Sequence, residues 1–140
     1  MTRYLIETSV WVSIVRTKPV QPLARRVQEL LQSELVATTG MIRLELMGGA
    51  KTQSEFDKLA FVTGGLEQFR DDDRTWLRAA ELAFALRRQG VTVPNADILI
   101  AAVAIENDAT LVHADAHFER IAQHSELQTE SYVEYLGTAR

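Results

Sequence analysis

Short apolar stretches alternating with longer segments of helical periodicity predict an α/β fold, a central parallel β-sheet flanked by helices on both faces. Three observations carry that expectation. Brief apolar runs, residues 4–6 first among them, end in polar or turn residues and lead into helical spacing. Asn95 opens a helix whose residues 98–105 are apolar on every side, which requires that the helix be buried. Acids recur where strands end or helices begin, at Glu7, Asp97 and Asp115, and Glu45 stands alone on a largely apolar helix. With 140 residues, 46% apolar and 24% charged, the chain is sized to bury one core, and residues 1–140 are expected to form a single domain.

In chain order, residues 4–6 read as a buried strand ending in Glu7, Thr8 and Ser9. Val10, Trp11, Ile14 and Val15 then have helical spacing, with Thr8 or Ser9 as the expected N-cap. Residues 18–21 form a loop, and from Pro22 a helix carries Leu23, Val27, Leu30 and Leu31 on one stripe. A second strand over residues 35–37 is closed by Thr38, Thr39 and Gly40. Residues 41–47 form a largely apolar helix that holds Glu45 and stops at Gly48-Gly49. Phe56, Leu59, Ala60 and Val62 mark another helix, residues 66–69 a third strand, and residues 75–89 a helix preceded by three aspartates that read as a solvated turn and cap. After the turn at Pro94 and the helix from Asn95 come a strand over 110–112, an acidic loop with Asp115, a short helix around Phe118, Ile121 and Ala122, an edge strand over 127–129, and a tail over 132–136.

Bulk properties narrow the function classes. The absence of cysteine removes disulfide and thiolate chemistry and fits a reducing, cytoplasmic location. The longest apolar run, eight residues, is short of the roughly 20 needed to span a bilayer, so no membrane partner is expected. A net charge of −4 argues against a protein that coats nucleic acid broadly, though not against one whose acids are gathered in a single pocket.

In a parallel sheet the carboxyl ends of the strands share one rim, where ligand crevices form. Glu7 and Asp115 fall on that rim, and Glu45 and Asp97 are within reach of it from the helices that follow. Asp97 lies in a first helical turn, where free N–H groups favour the ionised form. Carboxylates brought together raise one another's pKa, and a hard divalent cation relieves that strain. The chemistry this suggests is metal-assisted attack of water on a phosphodiester. Singly, each acid has a plain reading: Asp97 a helix-start acid, Asp115 a turn residue, Glu45 a side chain that snorkels to solvent or pairs with Arg43. Arg25-Arg26 and Arg87-Arg88 read as solvated helix faces, with RNA phosphate contact as the lesser alternative.

The stretches ETSVW, IRLELMGGA, NADILIAAVAI and TLVHADAHFERIA resemble, in this order and at these separations, the PIN domain, and the layout is most similar to the VapC toxins of bacterial toxin–antitoxin pairs. The resemblance implies an RNA-cleaving nuclease dependent on Mg²⁺, with Mn²⁺ as the alternative ion, usually homodimeric and held inactive by a cognate VapB-like antitoxin. It assigns Glu7, Glu45, Asp97 and Asp115 to the four acidic positions, Ser9 to a hydroxyl supporting the first acid, and Asn95 to a polar residue before the third. Three positions depart from the pattern. Glu7 replaces the usual Asp, His113 stands where Thr is common, and His117 replaces a frequent acid, so a fifth acidic ligand is missing. The spacing of His113 and His117 is i, i+4, but they flank a loop without evident neighbouring zinc ligands. Glu7 also leaves room for a PIN module that binds its antitoxin or RNA without cutting. A phospho-acceptor receiver domain, similar in size and sheet order, is disfavoured because the first strand ends in one acid rather than two and no lysine follows Lys58.

Overall fold

The structure, a computed structural model, describes residues 1–15 and 18–136. Its strands are β1 (Arg3–Ile6), β2 (Val36–Thr39), β3 (Glu67–Phe69), β4 (Ala109–His113) and β5 (Gln128–Ser131), all parallel, in the order β3-β2-β1-β4-β5. The helices are α1 (Thr8–Ile14), α2 (Gln21–Ser33), α3 (Gly40–Gly48), α4 (Gln53–Gly64), α5 (Asp73–Arg88), α6 (Asn95–Glu106), α7 (Ala116–Gln123) and α8 (Val133–Leu136). The expected α/β architecture, a parallel sheet flanked by helices, is therefore the one observed.

Strand order creates the site. From β1 the chain steps outward to β2 and β3, then returns to the other side of β1 for β4 and β5. Right-handed crossovers running in opposite directions place their helices on opposite faces of the sheet. The reversal opens a crevice between the carboxyl ends of β1 and β4. There Ile6 lies beside Val112, and the Glu7 N–H donates to the Val112 carbonyl at 2.9 Å. The order also differs from the 2-1-3-4-5 of receiver-type domains, so the expected similarity of sheet order does not hold.

The core is centred on α6. Ile98 through Ala104 are all buried, with α5 packed along the helix and β4, α3 and α7 also against it. Such a helix is stable only when enclosed, because an apolar surface on all sides gains nothing from water. Its enclosure fixes where its first turn points.

Several boundaries differ from those the sequence predicts. Thr38 and Thr39 extend β2 instead of closing it, since the ladder to β3 pairs them with Gln68 and Phe69 and β-branched side chains suit a buried pleat. Helix α2 begins at Gln21, with Pro22 in its first turn where its missing N–H costs nothing. Leu127 is buried ahead of β5, whose ladder to β4 runs from Gln128 to Ser131. Neither Thr8 nor Ser9 caps α1; the cap is Glu7, whose longer side chain folds back to accept from the Ser9 N–H at 3.0 Å. The aspartate run behaves as expected: Asp72 caps α5 in a capping box with Thr75.

Candidate metal centre

Glu7 follows the last residue of β1 and is 5% exposed. One of its oxygens, Oε1, accepts from both the Ser9 N–H and the Ser9 hydroxyl. The same hydroxyl accepts from the Ala114 N–H at 3.0 Å, tying the end of β1 to the turn after β4. Burial pushes the Glu7 carboxyl up to about 7; the Ser9 hydrogen bonds oppose the shift, and the negative charges of Asp97 and Asp115 add to it.

Asp97 stands in the first turn of α6 and is 8% exposed. Its carboxyl is also raised, by burial first and by Asp115 and Glu45 as neighbouring charges, against a hydrogen bond from His117 that favours ionisation. Asp115 caps α7 by accepting from the His117 N–H at 2.9 Å. The His117 ring completes the group, with Nδ1 2.9 Å from Asp97 Oδ2 and 3.4 Å from Asp115 Oδ1. Asp97, Asp115 and His117 each offer one ligand atom, all within 4.8 Å of one another. Three helix N-termini, those of α1, α6 and α7, thus carry the acids Glu7, Asp97 and Asp115, and their positive dipole ends offset part of the mutual repulsion.

A family model, the PIN domain, matches residues 4–123. Ribonuclease VapC11 of Mycobacterium tuberculosis is 37% identical over 132 residues, covering 91% of this chain and 98% of that protein. The chain belongs to the VapC group of the PIN-domain family. VapBC2 from Rickettsia felis, solved bound to a DNA fragment from its promoter, has a chain similar in fold at a TM-score of 0.79 and 23% identity, over 94% of this chain and 99% of that one. VapBC-5 from Mycobacterium tuberculosis, a member of the VapBC family of toxin–antitoxin systems, gives a TM-score of 0.60 at 21% identity, over 94% and 98%.

In this PIN domain the remaining predicted site residues lie at different distances from the cluster. Glu45, on α3, is exposed and accepts from the Thr8 hydroxyl at 2.8 Å. Its charge is felt at Asp97, but neither it nor Glu7 is among the three side chains, Asp97, Asp115 and His117, grouped closely enough to share an ion. It does not take Arg43, which donates to the Thr63 hydroxyl at 3.0 Å. Asn95 opens α6 exposed to solvent and lines a groove with Trp76, Phe84, Arg87 and Arg88, where the Arg88 guanidinium lies 5.5 Å from the Phe84 ring centre. Arg26 is no free surface charge: it makes two hydrogen bonds to Glu130, at 2.9 and 3.0 Å.

The two histidines separate. His113 is fully buried against Phe118; its Nδ1 accepts from the Asp115 N–H at 3.2 Å, while Nε2 is buried with no partner. Burial lowers its pKa to about 4, so it is neutral at pH 7 and holds the Asp115 loop in place of the missing hydroxyl. His117, by contrast, does have neighbouring ligand residues, Asp97 and Asp115, which its sequence context did not reveal.

Proposed function

We propose that this chain is a metal-dependent endoribonuclease, the toxin of a VapBC-type toxin–antitoxin pair, built as one PIN-like domain over residues 1–140. The observation that carries the reading is the grouping of Asp97 and Asp115 with His117, ligand atoms within 4.8 Å of one another, at the strand-order reversal where Glu7 follows β1. The donor set fits a hard divalent cation, Mg²⁺ or Mn²⁺: buried carboxylates that raise one another's pKa are relieved by positive charge. A bound ion would supply a water of lowered pKa and stabilise charge on the phosphate oxygens.

The chain's own residues supply the rest. Asp97 and Asp115 would hold the ion, with the His117 ring 2.9 Å from Asp97, and Ser9 holds one oxygen of Glu7 beside them. Glu45, steadied by Thr8, faces the rim as a further acidic group. Named relatives are ribonucleases, which makes RNA the proposed substrate.

A VapB-like antitoxin is the proposed partner. A groove of about 760 Å³ between α1, α3 and α4 has Val12, Leu46 and Leu59 in its lining and reaches Glu45, so a segment lying in it can direct a basic side chain at the acids. Homodimerisation is proposed as well, supported by Trp76, Leu77 and Phe84 standing exposed along α5. The proposed location is the cytoplasm; among the described residues no helix is long and apolar enough to cross a membrane.

The test is RNA cleavage by the purified chain with Mg²⁺ or Mn²⁺, with chelator, and by Asp97→Asn. Chelation should abolish cleavage, and Asp97→Asn should lower it about 100-fold or more without loss of folded structure. Cleavage that survives both treatments overturns the proposal. Glu7 in place of Asp favours a second reading, an attenuated or inactive PIN module that keeps antitoxin or RNA binding. Bound Mn²⁺ with no cleavage would select it.

A further inference from the structure

The resemblance implies an all-carboxylate Mg²⁺ site, but the side chains at this rim are not all carboxylates. Resting on the metal-centre reading above, we infer that His117 is itself a metal ligand, so that the centre holds its ion through nitrogen as well as oxygen and favours a first-row transition cation over Mg²⁺.

The spacing supports direct coordination. Neighbouring ligands on a six-coordinate ion with bonds of about 2.1 Å lie about 3 Å apart. His117 Nδ1 is 2.9 Å from Asp97 Oδ2 and 3.4 Å from Asp115 Oδ1, so the nitrogen can share a coordination shell with either acid. The arrangement is held from the backbone. Asp115 accepts from the N–H of His117, locking acid and imidazole on one helix turn, and burial of α6 fixes Asp97 opposite them. Nδ1 of the ring thus faces Asp97 Oδ2 directly.

The other imidazoles are committed elsewhere. His113 is buried with Nδ1 accepting from a backbone N–H, and His124 Nδ1 lies 2.8 Å from Gln89 Oε1. His117 is thus the one imidazole positioned to reach the acids. Imidazole suits transition ions, whereas Mg²⁺ prefers oxygen and retains its waters.

The deciding experiment loads the metal-free full-length chain with Mn²⁺ and records pulsed electron paramagnetic resonance for ¹⁴N coupling. Competition between Mn²⁺ and Mg²⁺ is measured alongside. Coupling from a directly bound imidazole is expected in the wild type and should be absent in His117→Gln. The preference for Mn²⁺ over Mg²⁺ should fall by about tenfold in His117→Asp, which restores an all-oxygen site. Mn²⁺ bound to the wild type without ¹⁴N coupling, or coupling unchanged in His117→Gln, overturns the inference while leaving the metal centre intact. No Mn²⁺ binding at all overturns both.

Discussion

Glu7 stands where the resemblance expects Asp, and it is buried. A carboxylate at the end of β1 meets two demands, capping α1 and facing Asp97 and Asp115, and the glutamate satisfies the first by curling back to Ser9. Aspartate would present its carboxyl about 1.5 Å nearer the backbone. Because Mg²⁺ tolerates little error in ligand position, Glu7→Asp is expected to raise RNA cleavage about tenfold at limiting metal. Initial rates over a Mg²⁺ titration measure it, and equal rates for the two chains would show that the extra methylene does not matter. The positions of Glu7 and Asp115 were legible because they are local, one at a strand's end and one before a helix. The place of His117 beside the acids was not, since its neighbour Asp97 is distant in sequence and reaches it only through the packing of α6 beside α7.

Among elements, α6 and β5 answer to different forces. Ile100 is completely buried in α6, so Ile100→Ala should cost about 2–5 kcal/mol in urea unfolding. A loss below 1 kcal/mol would mean that the helix is less enclosed than described. The edge strand β5 depends instead on Glu130, which takes two hydrogen bonds from Arg26 and one from Tyr132 at 2.6 Å. Arg26 is the main cause of a lowered Glu130 pKa, opposed by burial. A carboxylate whose pKa is depressed on folding adds stability above its unfolded value, about 4.3, and loses it as pH falls through the folded value. Thermal melts should therefore separate wild type from Glu130→Gln by about 1–2 kcal/mol at pH 7 and converge as the pH is lowered below 4. A gap that does not change with pH would assign the effect to packing. The ion pair spans 104 positions, which is why Arg26 read as an ordinary surface charge.

At the scale of the whole molecule, charge distribution matters more than the net value of −4. The candidate-site acids Glu7, Asp97 and Asp115 lie at one rim, while Arg87 and Arg88 line a groove beside Asn95, two residues before Asp97. RNA directed to those acids would find its phosphates compensated at Arg87 and Arg88. Replacing both arginines with alanine should reduce the slope of log affinity against log salt by about 1.4 for single-stranded RNA. An unchanged slope would remove this groove from the substrate's path.

By itself the amino-acid sequence determined which segments are strands and helices, that α6 must be buried, and that acids stand at strand ends and helix starts, because hydrophobic periodicity and caps are local properties. The tertiary structure decided which of those acids meet. The reversal of strand order at β1 and the packing of α6 against α7 bring Glu7, Asp97, Asp115 and His117 to one rim while Glu45 remains at its edge. Distances of a few ångströms between residues far apart in the chain are set by sheet order and helix packing, and no short stretch of sequence encodes either.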